Sequence, residues 1–353
     1  MIPILVQSIA TALPPYKVSQ HDVRELVYRL FSGEYQGLQR LMPVFENTQI
    51  TSRYFSQPLS WFEQQRSFVE SSNLFVETAI KLLVNASNSA IQNAGIQRED
   101  ISMVVAVSTT GIATPSLDAK LIQALCLPRT VKRVPVWGLG CAGGVAGLAR
   151  AAELLSAMPD GSYGLCTAVE LCSLTFQRND ISKSNIIASS LFADGAAALV
   201  LKKPQEDKEL GMRILASYSY IFDDSEDIMG WDIIETGLKV RFARDIPTLI
   251  TEHLPGIVAE ACAAWGICTE EIRHFVLHAG GAKVLQAYQD SLKLTKQDLC
   301  TAYHVLQNYG NMSSVSVLFA LQELMRSAPA PHELGMMIAL GPGFSAELLL
   351  FCT

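Results

Sequence analysis

Short apolar runs alternate along the chain with stretches whose apolar positions recur at helical spacing. Residues 4–9 read as a strand and residues 22–30 as a short helix. In 73–94, Phe75, Ala79, Leu82 and Leu83 fall on or near one face, the pattern of an amphipathic helix. Residues 103–107 form an apolar strand that ends in Ser108-Thr109-Thr110-Gly111. Residues 133–137 form another, followed by glycines and an alanine-rich helix over 143–157. Strands at 163–169 and 196–201 complete this set. Such alternation predicts a layered α/β protein, not a bundle or a sandwich.

The charged stretch 202–209 reads as a linker, after which the pattern restarts. It predicts strands at 214–218, 275–277 and 336–340, and helices at 247–265, 282–290 and 314–325. Two glycine turns resemble each other across this break. Asp194-Gly195-Ala196 leads into one closing apolar strand, and Gly341-Pro342-Gly343 leads into another at 346–350. Each half also carries a strand-end candidate for chemistry, Cys141 in the first and His278 in the second. We read this as a weak internal duplication, with halves 1–207 and 208–353.

Composition narrows the class. The 353 residues are 49% hydrophobic and 17% charged, too apolar for a disordered chain. The formal charge of −7 argues against a general nucleic-acid binder, which needs a basic surface. None of the eight cysteines forms a C-x-x-C pair, which disfavours a zinc ribbon or a dithiol redox site. Several lie in apolar runs, so a reducing, cytoplasmic compartment is expected. The apolar start of the chain lacks a preceding Lys or Arg and is interrupted by Gln7 and Ser8, so it predicts a strand and not a signal peptide. No run of 18 uninterrupted apolar residues occurs, and no stable membrane insertion is expected.

Three segments carry candidate chemistry. In the first, Gly138, Gly140 and Gly143 satisfy G-x-G-x-x-G, and Glu170 stands where a ribose-binding acid would. That fingerprint usually opens the first βαβ unit, and here it lies mid-chain, so alone it is weak evidence for a dinucleotide. Cys141, inside it, stands where a helix begins. Unpaired N–H groups and the helix dipole there favour thiolate, and small neighbours leave room for a thioester. The alternative is a buried, inert cysteine. In the second segment, His278 ends a strand before Gly280-Gly281, placed to enter a cleft; a structural histidine is the alternative. In the third, Asn311 precedes a helix, either as an ordinary N-cap or as an amide donor to a developing oxyanion.

Taken in this order, these segments resemble the Cys-His-Asn set of the type III polyketide synthases, the chalcone-synthase-like branch of the thiolase superfamily. The motifs that carry the resemblance include Gly140-Cys141-Ala142-Gly143-Gly144, Leu191-Phe192-Ala193-Asp194-Gly195, His278-Ala279-Gly280-Gly281, Tyr309-Gly310-Asn311-Met312-Ser313-Ser314 and Gly341-Pro342-Gly343. The wording around Cys141 and Cys172 is similar to bacterial members that make alkylpyrones and alkylresorcinols. The resemblance implies a five-layered αβαβα fold and a homodimer, with Thr114 crossing the interface.

It further implies that Cys141 carries the starter acyl group and the growing chain. His278 and Asn311 would bind the thioester carbonyl of malonyl-CoA, and His278 would stabilise the Cys141 thiolate as an ion pair. Phe192 matches the family's gatekeeper, and Val240 stands where plant members usually carry a second, aromatic one. That smaller side chain suits an aliphatic acyl-CoA starter. Thr175 and Ser313 match substrate-binding positions, and Arg53 matches an arginine near the CoA entrance. No metal or redox cofactor is implied. The alternatives are a CoA-primed ketoacyl synthase performing one condensation, or a non-catalytic acyl-CoA-binding protein on the same scaffold.

Overall fold

The computed structural model describes residues 3–33, 37–206, 209–243 and 246–353. The expected boundary at 207/208 lies outside the described residues. Among them, nine strands form one mixed sheet. From edge to edge these are Ile272–Leu277, Leu334–Gly341, Ser345–Cys352, Arg213–Ile221, Ile4–Ala12, Asp194–Lys202, Tyr163–Leu171, Ile101–Val107 and Lys132–Val136. Neighbours pair along most of their length except in the middle. There Ile4–Ala12 meets Arg213–Ile221 only at Ile4↔Ile214 and Leu5↔Arg213.

That short seam divides the sheet into two similar lobes. In the first, Ile4–Ala12 pairs antiparallel with Asp194–Lys202, which pairs antiparallel with Tyr163–Leu171. Ile101–Val107 then follows in parallel. The second lobe repeats this sequence with Arg213–Ile221, Ser345–Cys352, Leu334–Gly341 and Ile272–Leu277. The two strands that follow the glycine turns therefore occupy equivalent places. Cys141 and His278 do not. Cys141 follows the edge strand Lys132–Val136, whereas His278 ends the counterpart of Ile101–Val107. The counterpart of the helix that begins beside Cys141 is Ser314–Arg326, whose approach carries Asn311.

Gly143–Ser156 and Ser314–Arg326 form the central layer, each touching strands of both lobes. Both are buried on nearly every face, as expected of helices apolar all round. Phe68–Ala94 and Leu117–Leu125 cover the first lobe, and Ile246–Trp265 and Ala282–Leu292 cover the second. The order is αβαβα.

The central helices approach closely because the first is built from small residues. A Cβ on Gly144 would lie 2.1 Å from the Ser314 carbonyl oxygen. Gly140 has φ +48°, and a Cβ there would lie 2.6 Å from Pro342 Cδ. The mid-chain glycine motif thus serves a turn and a helix contact. This corrects the expectation that these glycines leave room for a thioester: Gly140, Gly143 and Gly144 face Pro342, Val107 and Ser314.

Candidate active site

Cys141 lies in the tight turn Gly140–Ala142 that opens the first central helix. The turn is tied down by Gly140 N, which donates to Thr109 Oγ1 at 3.0 Å. The Thr109-Thr110 loop is held in turn by Glu170, at the end of Tyr163–Leu171. Its carboxylate accepts from Thr109 N, Thr110 N, Thr110 Oγ1 and, at 2.6 Å, Ser314 Oγ. Glu170 is fully buried, which raises its pKa, and the donors around it oppose that rise. One carboxylate thus joins the nucleophile turn to the start of the facing helix.

His278 is the first residue after Ile272–Leu277, and its N–H donates to Ile338 O at 3.0 Å. Its ring is buried, and neither ring nitrogen has a hydrogen-bond partner within the protein. Gly280 lies against the ring's Cδ2–Nε2 edge. Asn311 is held more firmly. Its backbone N donates to Leu191 O and its carbonyl accepts from Ala193 N, both at 2.9 Å, in a parallel bridge to Phe192. Its side-chain Oδ1 accepts from Ser313 N at 2.8 Å, and Nδ2 donates to Gly280 O at 3.0 Å. Those bonds fix which way the amide faces and leave one Nδ2–H uncommitted. Asn311 is not the helix N-cap; Ser313 is, at φ 49°.

Cys141 and Asn311 meet, and His278 is linked to them through Gly280. Cys141 Sγ interacts with the side chains of Ser313 and Asn311, and Gly280 joins Asn311 to the His278 ring. Burial pushes the Cys141 thiol up to about 12, with the Glu170 charge acting the same way and the Ser313 and Asn311 hydrogen bonds opposing it. Burial also pulls the His278 imidazole down to about 4. Burial thus opposes both the lowered thiol and the ion pair expected from sequence, against the pull of the helix N-terminus.

The N-terminal-domain model of the chalcone and stilbene synthases matches residues 3–204, and the C-terminal-domain model matches 213–353. The chain belongs to that family. A putative chalcone synthase of Bacillus subtilis is 40% identical, covering 98% of each chain. An alpha-pyrone synthesis polyketide synthase-like protein of Mycobacterium tuberculosis is 28% identical over 98% of this chain and 90% of its own. The crystal structure of 1,3,6,8-tetrahydroxynaphthalene synthase from Streptomyces coelicolor superposes with TM-score 0.93 at 26% identity, covering 99% of each chain. The chain is thus a type III polyketide synthase, a condensing acyltransferase on a thiolase-like fold.

In the synthase, Phe192 ends the helix Lys183–Leu191, with its ring 6.1 Å from Trp231 and 5.6 Å from Phe242. It forms one buried cluster with Cys172, Ala188 and Val240. Val240 lies on a hairpin, Met229–Ile234 with Gly237–Phe242, directly opposite Trp231. The Thr175 hydroxyl is engaged by Cys172 O at 2.8 Å, so it offers substrate mainly a wall. Ser313 stands beside Cys141.

Arg53 is a correction. It is 0% exposed and cannot meet CoA phosphates at an entrance. Its Nη1 donates to Ser189 O at 2.8 Å and Phe192 O at 2.7 Å, so it holds the Phe192 segment from beneath. Burial lowers it to about 9, with Asp194 opposing. Sequence reasoning also missed Asp194 as a strut. Its carboxylate accepts from Ser173 N and Ser56 N, both at 2.7 Å, and from Ser173 Oγ. An acid two residues after Phe192 and opening a buried strand was the available signal. Among the described residues no helix is long and apolar enough to cross a membrane, and no three side chains are grouped to hold a metal.

Proposed function

We propose that the synthase loads an aliphatic, fatty acyl group from CoA onto Cys141 and extends it with malonyl-CoA by repeated decarboxylative Claisen condensation. Ring closure then gives an alkylpyrone or alkylresorcinol. The observation that carries this is the locked Asn311 amide: with Oδ1 engaged by Ser313 N, the side chain offers an N–H beside Cys141.

In this mechanism the neutral His278 accepts the Cys141 proton as the starter thioester arrives. The thiolate attacks the carbonyl, and CoA leaves as its thiol. Malonyl-CoA then sets its thioester oxygen against the Asn311 Nδ2–H and a ring N–H of His278. Loss of carbon dioxide leaves an enolate on that oxygen, where two fixed donors act only on charge that develops during reaction. The enolate carbon attacks the Cys141 thioester, and the thiolate departs. The chain, longer by two carbons and now on CoA, returns to Cys141. No step uses a metal or a redox cofactor.

Support for an aliphatic chain comes from Val240, which leaves space an aromatic side chain would fill, and from the M. tuberculosis relative named for alpha-pyrone synthesis. The eight free cysteines support a reducing, cytoplasmic setting. A homodimer is supported by the free outer edge of Lys132–Val136, beside which Trp137 and Ile112 are 50% and 45% exposed. Thr114, three residues beyond Gly111, whose carbonyl accepts from Trp137 Nε1, is exposed. The deciding experiment pairs acyl-CoAs of several lengths with labelled malonyl-CoA and reads products by mass spectrometry. Alkylated pyrones or resorcinols, and an acyl adduct on Cys141, are expected. An adduct that persists in Cys141→Ala would overturn the assignment.

A further inference from the structure

The hairpin that carries Val240 depends on the rest of the chain for its position. Met229–Ile234 and Gly237–Phe242 pair only with each other, outside the nine-stranded sheet. A two-stranded hairpin alone is marginal in water, and Asp232, Ile233 and Ile234 of its first strand are exposed. Its second strand buries Leu238 and Val240. At the base, Ala243 N donates to Ile228 O at 2.7 Å. At the tip, the holding group is Gln177, which is 7% exposed. Its Oε1 accepts from Thr236 Oγ1 at 2.6 Å, and its Nε2 donates to Leu238 O at 3.3 Å and to Thr175 O at 3.2 Å.

Gln177 is itself fastened to the helix that ends at Phe192. Asn185, buried in Lys183–Leu191, donates Nδ2 to Gln177 O at 2.8 Å, and its Oδ1 accepts from Gln177 N at 3.4 Å. One polar chain therefore runs from the Phe192 helix through Asn185 and Gln177 to the hairpin tip. A second link, Lys239 to Asp180 at 3.3 Å, lies nearer the surface, with the Lys239 side chain 35% exposed. Such a pair is screened by salt and contributes little. The Gln177 bonds are shielded from water, so losing them strands buried polar groups.

Resting on the polyketide reading above, we propose that Gln177 is a specificity-positioning residue. By pinning the hairpin tip to the Phe192 helix, it fixes where Val240 stands and so which starter acyl groups the site accepts. None of its hydrogen bonds goes to Cys141, His278 or Asn311; it acts through Val240. Without the pin the hairpin swings about its base, and the wall yields to starters broader than an alkyl chain.

The test uses the full-length protein. Gln177→Leu keeps the bulk and removes the three side-chain bonds; Thr236→Val removes one of them from the other side. Hydrogen exchange of the substrate-free protein, read by mass spectrometry over residues 229–242, should be about tenfold faster in Gln177→Leu, with the nine-stranded sheet unchanged. The kcat/KM ratio of hexanoyl-CoA to benzoyl-CoA should fall about tenfold. Thr236→Val should move both readouts the same way by less. A ratio is independent of the fraction of active enzyme, so a merely weakened fold would leave it unmoved. An unchanged ratio in both variants would overturn the proposal, as would a larger change in Lys239→Met than in Gln177→Leu.

Calorimetry of the same two thioesters on Cys141→Ala, with and without Gln177→Leu, reads the wall without turnover. The ratio of their affinities should fall about tenfold there too. If it does while wild type makes no polyketide, the functional reading fails and the assignment of Gln177 survives. If polyketides form and neither ratio moves, Gln177 has no part in selection and the functional reading stands.

Discussion

At the residue scale, the amide and the imidazole are separable from the thiol. On the proposed mechanism Asn311→Ala removes one of two donors on the enolate oxygen and should lower malonyl-CoA decarboxylation about 10²–10³-fold, or about 2.7–4 kcal/mol. Acylation of Cys141 should survive, and mass spectrometry of the intact protein would show it. Burial holds the resting thiol up to about 12. Its alkylation by iodoacetamide should therefore keep rising with pH past the ordinary thiol value of ~8.5. A plateau below pH 7 would instead show the helix dipole overcoming burial. His278, pulled down to about 4, should stay neutral throughout that range. Arg53→Ala leaves two buried carbonyls, of Ser189 and Phe192, without their donor. It should cost about 1–3 kcal/mol per carbonyl in stability, read by denaturant unfolding, rather than only raising the KM for CoA thioesters. Residue types were the most legible part of the site. Cys141, His278 and Asn311 each stand at an element boundary that the hydrophobic pattern marks. Arg53 was misread because burial is a property of the fold: a guanidinium in a short strand looks alike in sequence whether it faces water or underlies a gate.

At the element scale, the central layer depends on absent side chains. Gly144→Ala forces a methyl group onto the Ser314 carbonyl, 2.1 Å from where it would sit. Overpacking of this kind costs about 1–3 kcal/mol. A lowered Tm is expected, with activity falling in parallel because Ser314 also bonds Glu170. The long runs were readable. The helix expected over 73–94 is Phe68–Ala94, and it starts earlier because Ser67 and Glu70 form a capping box upstream of the apolar stripe. The short pieces were not. Tyr16–Ser19 with Ser52–Phe55, and the hairpin carrying Trp231 and Val240, are strands of four to six residues. They alternate too briefly for a period to emerge, and they form because tertiary partners complete their ladders. Leu117–Leu125 and Cys300–Tyr309 escaped notice for the same reason.

At the scale of the whole molecule, the site exists because two lobes share one middle layer. The thiol comes from the first lobe, and the imidazole and amide from the second, so neither lobe holds the chemistry alone. The duplication was visible in sequence only as two glycine turns, because strand order is invisible until the sheet is assembled. Its misleading part was pairing Cys141 with His278; in the fold, the approach to Ser314–Arg326 is the counterpart of the Cys141 turn. If the free edge at Lys132–Val136 is where two copies meet, Trp137→Glu should halve the mass measured by light scattering, while the Cys141 adduct still forms.

The bridge between Phe192 and Asn311 ties the proposed aromatic door to the amide proposed to hold the enolate. A door hung on such a hinge opens by turning its ring, because carrying its backbone aside would unseat the amide. For anyone reshaping this synthase, exchanging the ring at 192 for a smaller or larger one is a safe lever on what enters. Lengthening or shortening the chain on either side of it is not.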